Sequence, residues 1–299
     1  MRVFVTGGTG FIGSAVVSEL LNEGHEVIGL ARSDASASAL ALVGAEPLRG
    51  SLDDLSILRG GAARADGVVH LAFNNVSPTN DIAAASKTEL ATIETIGAEL
   101  EGSDKPFVVT SGALALARLG RLGTELDAGI SDFPRFAAEL ATLDLASRGI
   151  RSSIIRLAPS VHSDQDKHGF VSRLIAIARE KGKSAYVGDG SNRWPAVHQL
   201  DVAKLYRLAL EGAPAGSRLH GVGEEGIPFR EIAEAVGRNL NLPSESITAE
   251  EAQAHFGFLA MFIVMDAPTS SDITQKLLNW NIEGPGLIED IDRGHYFKS

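Results

Sequence analysis

Short unbroken apolar runs alternate with stretches of helical spacing along the first half of the chain. Val3, Phe4 and Val5 read as a strand. Val16, Val17, Leu20 and Leu21 then recur at helical intervals, and Gly24 supplies a stop. The rhythm repeats. Strands are predicted at 25–31, 46–48, 67–72, 107–110 and 153–157, with helices through Leu55 and Leu58, over 81–100 and over 134–148. Strands apolar on both faces and alternating with helices predict a parallel sheet covered on both sides, an α/β doubly wound fold.

After Leu157 the rhythm changes. A helix over 170–179, a Gly/Asp turn at 187–190 and a helix from about Asp201 to Leu210 follow. The remainder reads as short helices and loops punctuated by Pro228, Pro243, Pro268 and Pro285. This predicts a smaller, mostly helical C-terminal cap. The expected division is a sheet domain of 1–162 plus about 196–212, and a cap of 163–195 plus 213–299. The longest apolar run, 256–265, is too short to span a bilayer and reads as a buried helix or a pocket wall.

Composition narrows the functions. With 44% hydrophobic and 22% charged residues the chain is an ordinary folded one. It has no cysteine, which excludes disulfides, thiolate zinc sites and a cysteine nucleophile. The 27 Lys and Arg against 38 Asp and Glu give a net charge of −11, the wrong sign for a general nucleic-acid binder. No leader, membrane segment or metal-ligand spacing is read, so the expectation is a cytoplasmic protein with no membrane or nucleic-acid partner and no metal.

One glycine-rich segment carries chemistry. Gly7, Gly10 and Gly13 join the first strand to the first helix in Thr6-Gly7-Gly8-Thr9-Gly10-Phe11-Ile12-Gly13. A tight turn there lets bare backbone approach a pyrophosphate at a helix N-terminus, with Phe11 and Ile12 in the helix's first turn. The sheet domain is therefore expected to bind a dinucleotide. The second strand ends in Ala31-Arg32-Ser33, where an acidic residue would select NAD(H). Arg32 and Ser33 favour the 2′-phosphate of NADP(H), with NAD(H) still open. Asp34 reads either as a ribose ligand or as a partner of Arg32. Asp53 is expected at the adenine or as a helix cap. Leu71 and Ala72 are expected beside the nicotinamide ribose, while His70 reads equally as a core histidine.

These motifs resemble those of the extended short-chain dehydrogenases/reductases, the NAD-dependent epimerase/dehydratase superfamily. Besides the glycine loop, Val69-His70-Leu71-Ala72, Val109-Thr110-Ser111, Arg156-Leu157-Ala158-Pro159-Ser160-Val161-His162 and Val197-His198-Gln199-Leu200-Asp201-Val202-Ala203 resemble segments of that family in order and spacing. The resemblance implies a Rossmann sheet and a catalytic Ser/Thr followed by Tyr-x-x-x-Lys. Here the pattern breaks, because Tyr186, Tyr206 and Tyr296 all lack a lysine four residues on. Alignment through Glu139 puts Ser131 at the tyrosine position and Arg135 at the lysine position, with Ser111 beside the usual Ser/Thr. Ser131 and Asp132 also read as helix caps, and Arg135 reads equally as a cofactor contact that bonds a ribose hydroxyl and charges the site or as a helix-start residue. His162 and His198 are further candidates for proton transfer, and Lys167 and His168 for gripping an anionic substrate.

The expected function is NADP(H)-dependent reduction of a small carbonyl, imine or activated alkene with a non-standard proton donor. Two alternatives stay open: an epimerase, dehydratase or isomerase with tightly held NAD(P), or a catalytically silent NADP(H)-sensing binding protein. The resemblance also implies a possible homodimer through the helices at 81–100 and 134–148.

Overall fold

The computed structural model describes residues 1–73, 81–133 and 135–298. The first half runs β1 (Arg2–Thr6), α1 (Phe11–Asn22), β2 (Glu26–Ala31), α2 (Asp34–Leu42), β3 (Glu46–Arg49), α3 (Leu55–Ala63), β4 (Gly67–His70), α4 (Ile82–Leu100), β5 (Pro106–Gly112), α5 (Phe136–Asp144) and β6 (Arg151–Leu157). The second half runs β7 (Ser160–His162), α6 (Phe170–Lys181), β8 (Ser184–Val187), β9 (Arg193–His198), α7 (Gln199–Gly212), β10 (Ser217–Gly221), β11 (Glu224–Pro228), α8 (Phe229–Leu240), β12 (Ser244–Ile247), α9 (Ala249–Phe256), α10 (Ala260–Ile263), α11 (Asp272–Leu278) and α12 (Leu287–Asp292).

Among the described residues, seven strands form one parallel sheet in the order β3-β2-β1-β4-β5-β6-β10. The chain winds outward from β1 to β3, then crosses back to β4 on the other side. That reversal opens a crevice at the carboxyl ends of β1 and β4, where ligands of open α/β sheets sit. Alternation along the strands fills both faces. Val3, Val5, Val69 and Ile155 pack with residues of α1 and α7, while Phe4, Val68, Phe107 and Ile154 pack with residues of α3, α4 and α5. Each such buried side chain contributes about 1.5–3 kcal/mol, which is why the sheet is a firm platform for the loops at its edge.

The cap has its own core, in which Val171, Leu174, Phe229, Ile232, Phe256 and Ile263 meet. Helices α6, α8, α9, α10 and α12 build it, together with the β12–β8 pair and the β11-β9-β7 sheet. Helix α9 starts where it does because Thr248 and Glu251 form a reciprocal capping box.

The structure departs from the sequence pattern in three places. Strand β10 pairs with β6 in the central sheet, so 217–221 do not belong to the cap assigned to 213–299. The helix expected over 134–148 is α5 followed by a 3₁₀ turn, Leu145–Arg148, closed by Gly149 at φ +72°; Pro134 lies outside the described residues. Strand β4 ends at His70, leaving Leu71 and Ala72 in the loop beyond it. No described helix is long and apolar enough to cross a membrane, and no group of three or more potential metal ligands occurs among the described residues.

Candidate active site

The glycine loop is shaped by two contacts that side chains would forbid. Gly7 has φ +75°, and a Cβ there would lie 2.8 Å from the Ala72 amide nitrogen. A Cβ on Gly13 would lie 2.0 Å from the Gly7 carbonyl oxygen. The helix therefore presses directly on the turn, and the turn on the 71–72 backbone. Gly10 N–H donates to Gly7 O at 3.0 Å, closing the turn. Gly10 is the N-cap of α1 and supplies no side-chain bond, which leaves the first-turn amides of Phe11, Ile12 and Gly13 facing outward without a cap. Half-buried Phe11 and Ile12 flank this concave, side-chain-free cradle, which fits a pyrophosphate.

Behind the loop runs a buried polar chain. Thr6 Oγ1 is hydrogen-bonded to His70 Nδ1 at 2.6 Å and accepts from Ala72 N–H at 3.3 Å. Thr110 Oγ1 donates to His70 O at 2.9 Å and lies 2.7 Å from the Tyr206 hydroxyl. Burial, reinforced by the Arg135 charge, lowers the His70 pKa to about 3. His70 is thus a neutral strut that ties the ends of β1 and β4.

At the outer end of the crevice, Arg32 is exposed at the end of β2, and no described carboxylate lies within ion-pair distance of it. Asp34, the alternative partner, pairs instead with Arg49 at 3.2 Å. Arg49 stands directly beside Ala31 in the β2–β3 register. The Ser33 hydroxyl caps α2, accepting from Ser36 N–H at 3.1 Å. Asp53 is exposed and is not the cap of α3; that position belongs to Asp54.

At the inner end a cleft of about 280 Å³ separates the sheet edge from the cap. Its described walls include Phe73, Arg135, His168, Phe170, Arg173 and Phe258. Arg135 is held in place. Its Nε donates to both Glu89 oxygens at 3.0 Å, and its Nη2 donates to Glu89 and, at 2.6 Å, to Thr110 O. The guanidinium lies 4.5 Å from the Phe73 ring centroid. A rigid cation therefore stands at the crevice, where the sequence alignment put the lysine.

The other catalytic candidates sit elsewhere. Ser111 is buried and its hydroxyl donates to Glu139 Oε2 at 3.2 Å, beside the buried Glu139–Arg156 pair. Ser131 is exposed and caps nothing; the α5 N-cap is Arg135. His162 is fully buried in β7, with Nδ1 2.9 Å from Asp290 Oδ2. Its ring lies 5.5 Å from that of His198, edge to face. His198 is the α7 N-cap, its Nδ1 accepting from Leu200 N–H at 3.4 Å, and burial lowers its pKa. Asp201, where the sequence pattern starts that helix, accepts from Glu283 and Gly284 N–H. None of these five side chains is among the described cleft walls, whereas His168 is.

Sequence reasoning missed Glu89, Arg173 and Gln199. Glu89 was legible: on α4 it shares the buried face with Ala85, Thr92, Ile93 and Ile96, and a carboxylate on such a face needs a cation. Gln199 links cap and loop, its amide donating to Phe11 O and its carbonyl accepting from Ser163 Oγ at 2.6 Å. Arg173 has no comparable signal in its neighbours.

Comparison with known proteins agrees with this geometry. The model of the NAD dependent epimerase/dehydratase family matches residues 3–96, from β1 into α4. The uncharacterized protein C2A9.02 of Schizosaccharomyces pombe is 47% identical over 298 residues, covering 99% of this chain and all of that protein. A 4-hydroxy-2-methyl-3-oxo-4-farnesyl-3,4-dihydroquinoline-1-oxide ketoreductase of Stigmatella aurantiaca is 25% identical over 86% of this chain and 80% of its own. The structure of MoeE5 in complex with UDP-glucose and NAD superposes with a TM-score of 0.78 at 22% identity, covering 99% of this chain and 97% of that one. From the glycine loop, the strand order and these matches together, the chain belongs to the NAD-dependent epimerase/dehydratase family.

Proposed function

We propose that this chain is an NADP(H)-dependent oxidoreductase that reduces the carbonyl group of a small, partly apolar substrate. The observation that carries the cofactor choice is Arg32, an exposed guanidinium with no described acidic partner at the end of β2. A 2′-phosphate placed there receives a bidentate, charge-assisted contact. Arg49 beside it adds positive charge, although Asp34 offsets part of that. The Gly7–Gly13 cradle would receive the pyrophosphate, and Arg135 would donate to a ribose hydroxyl.

A nicotinamide held at this crevice would supply hydride. The chain's own residues orient the carbonyl in the cleft and return a proton to its oxygen. Arginine holds its protons too tightly to do this. His168 is the imidazole on the described cleft wall and takes the donor role, with water as its source. This reading prefers His168 to His162 and His198, which are not among the described cleft walls. The carbonyl class draws support from the ketoreductase relative, whose name describes reduction of a ketone.

The test follows loss of NADPH absorbance with panels of ketones, imines and enones. Turnover of ketones, reduced several-fold or more by His168→Gln, is expected. No oxidation of NADPH with any class overturns the reading.

A further inference from the structure

The cleft is aromatic and positively charged in a chain that carries a net charge of −11. Phe73, Phe170, Phe258 and Phe262 supply its apolar surface, and no carboxylate is among its described walls. Arg135 spends its charge on Glu89. Arg173 does not. Its Nε donates to the His168 carbonyl at 2.9 Å, and it lies 5.1 Å from the Phe258 ring centroid. Among the described residues, neither of its terminal nitrogens meets an acceptor, and it forms no ion pair. The guanidinium is thus oriented by its inner nitrogen and by stacking, with its outer fork unused. A planar fork pre-set in this way matches a carboxylate bidentately. The aromatic walls strengthen that contact by lowering the local dielectric below that of bulk solvent.

We propose that the substrate is a carboxylic acid bearing an aromatic ring, its carboxylate taken by Arg173 and its ring seated among the four phenylalanines. This deepens the proposed function and rests on the cleft being its substrate site. The cleft volume of about 280 Å³, just below the usual range of about 300–1,000 Å³, favours a ligand of one or two rings. Arg173 is then a specificity-determining residue: it selects an acid over its neutral counterpart and takes no part in hydride or proton transfer.

Three matched probes test this by calorimetry on the full chain saturated with NADP⁺: 4-oxo-4-phenylbutanoate, its methyl ester, and 4-oxopentanoate, which keeps the acid but lacks the ring. The aryl acid is expected to bind at least about tenfold more tightly than either of the others, or about 1.4 kcal/mol. Arg173→Gln is expected to abolish the preference for acid over ester through loss of acid affinity, and Arg173→Lys to restore part of it. Equal binding of acid and ester, an undiminished preference in Arg173→Gln, or no binding of any probe to protein that takes up NADP⁺ overturns the proposal. The two readings fail separately. Acid-selective binding without hydride transfer from NADPH removes the oxidoreductase reading alone. Reduction of neutral ketones without acid preference removes the substrate class alone.

Discussion

A methyl group at residue 13 is the sharpest perturbation of the cradle. In Gly13→Ala the new carbon falls 2.0 Å from Gly7 O, 2.8 Å from Gly7 C and 2.9 Å from Gly8 Cα, all of them backbone atoms. Even an attractive carbon–oxygen contact sits at about 3.3–3.6 Å, so turn and helix must separate by more than about 1 Å. Overpacking of this kind costs about 1–3 kcal/mol, which in a chain of this size lowers Tm by roughly 2–12 °C. The same movement pulls the turn amides off the pyrophosphate. Each charge-assisted bond is worth about 1.5–3 kcal/mol, so losing two weakens NADPH by about 100-fold or more. Calorimetry of NADPH binding, with thermal melts of the free protein, reads both effects. Gly60→Ala is the control: it lies within α3 with nothing within 4 Å of its built Cβ, and it should gain about 0.4–1 kcal/mol without changing affinity. A folded Gly13→Ala protein that binds NADPH like wild type refutes the cradle argument.

Arg32→Gln should weaken NADPH by about 10-fold or more while leaving NADH within about twofold, measured as dissociation constants; equal losses for both nucleotides count against a 2′-phosphate contact. Glu89→Gln strips the partly buried Arg135 of its counter-charge and should cost roughly 3 kcal/mol in urea denaturation, toward the lower end for a broken buried pair because Arg135 keeps 16% side-chain exposure; a loss under 1 kcal/mol shows the pair to be dispensable. Stability should also fall in acid. Burial lowers His70 to about 3 and His220 to about 4, so both are neutral in the folded state, while the unfolded chain takes up those protons from about pH 6.5 downward. Stability present above pH 6.5 is then lost as pH falls toward 4, by about 1–2 kcal/mol per histidine at pH 5. Denaturation curves at pH 7.5 and pH 5 check this, and identical midpoints contradict it.

The sheet was readable because its strands are buried on both faces and leave unbroken apolar runs. The crevice followed from the glycine spacing, a backbone requirement that only one residue type meets. The cap was harder. Phe256, Phe258 and Phe262 have the same apolar pattern, yet Phe256 is core while Phe258 and Phe262 line the cleft. Hydrophobicity cannot distinguish a core from a pocket wall, because both exclude water. His162 and His198 attracted attention as histidines at strand ends. Their roles are set by Asp290, 128 residues away from His162, and by the local α7 cap. Ser217–Gly221 was missed as a strand because an edge strand is only half covered and gives a short, mixed pattern: Ser217 and Arg218 are partly exposed, whereas Leu219, His220 and Gly221 are buried. Arg135 was placed by motif alignment, and the Glu89 that holds it was visible only as a carboxylate on a buried helical face.

The measurement closest to the central claim is a pair of titrations of purified, nucleotide-free protein with NADPH and with NADH. A single site per chain that takes NADPH at least about tenfold more tightly, with that advantage erased in Arg32→Gln, is the predicted result. Heat signals at baseline for both nucleotides, or a tighter NADH complex, contradict it.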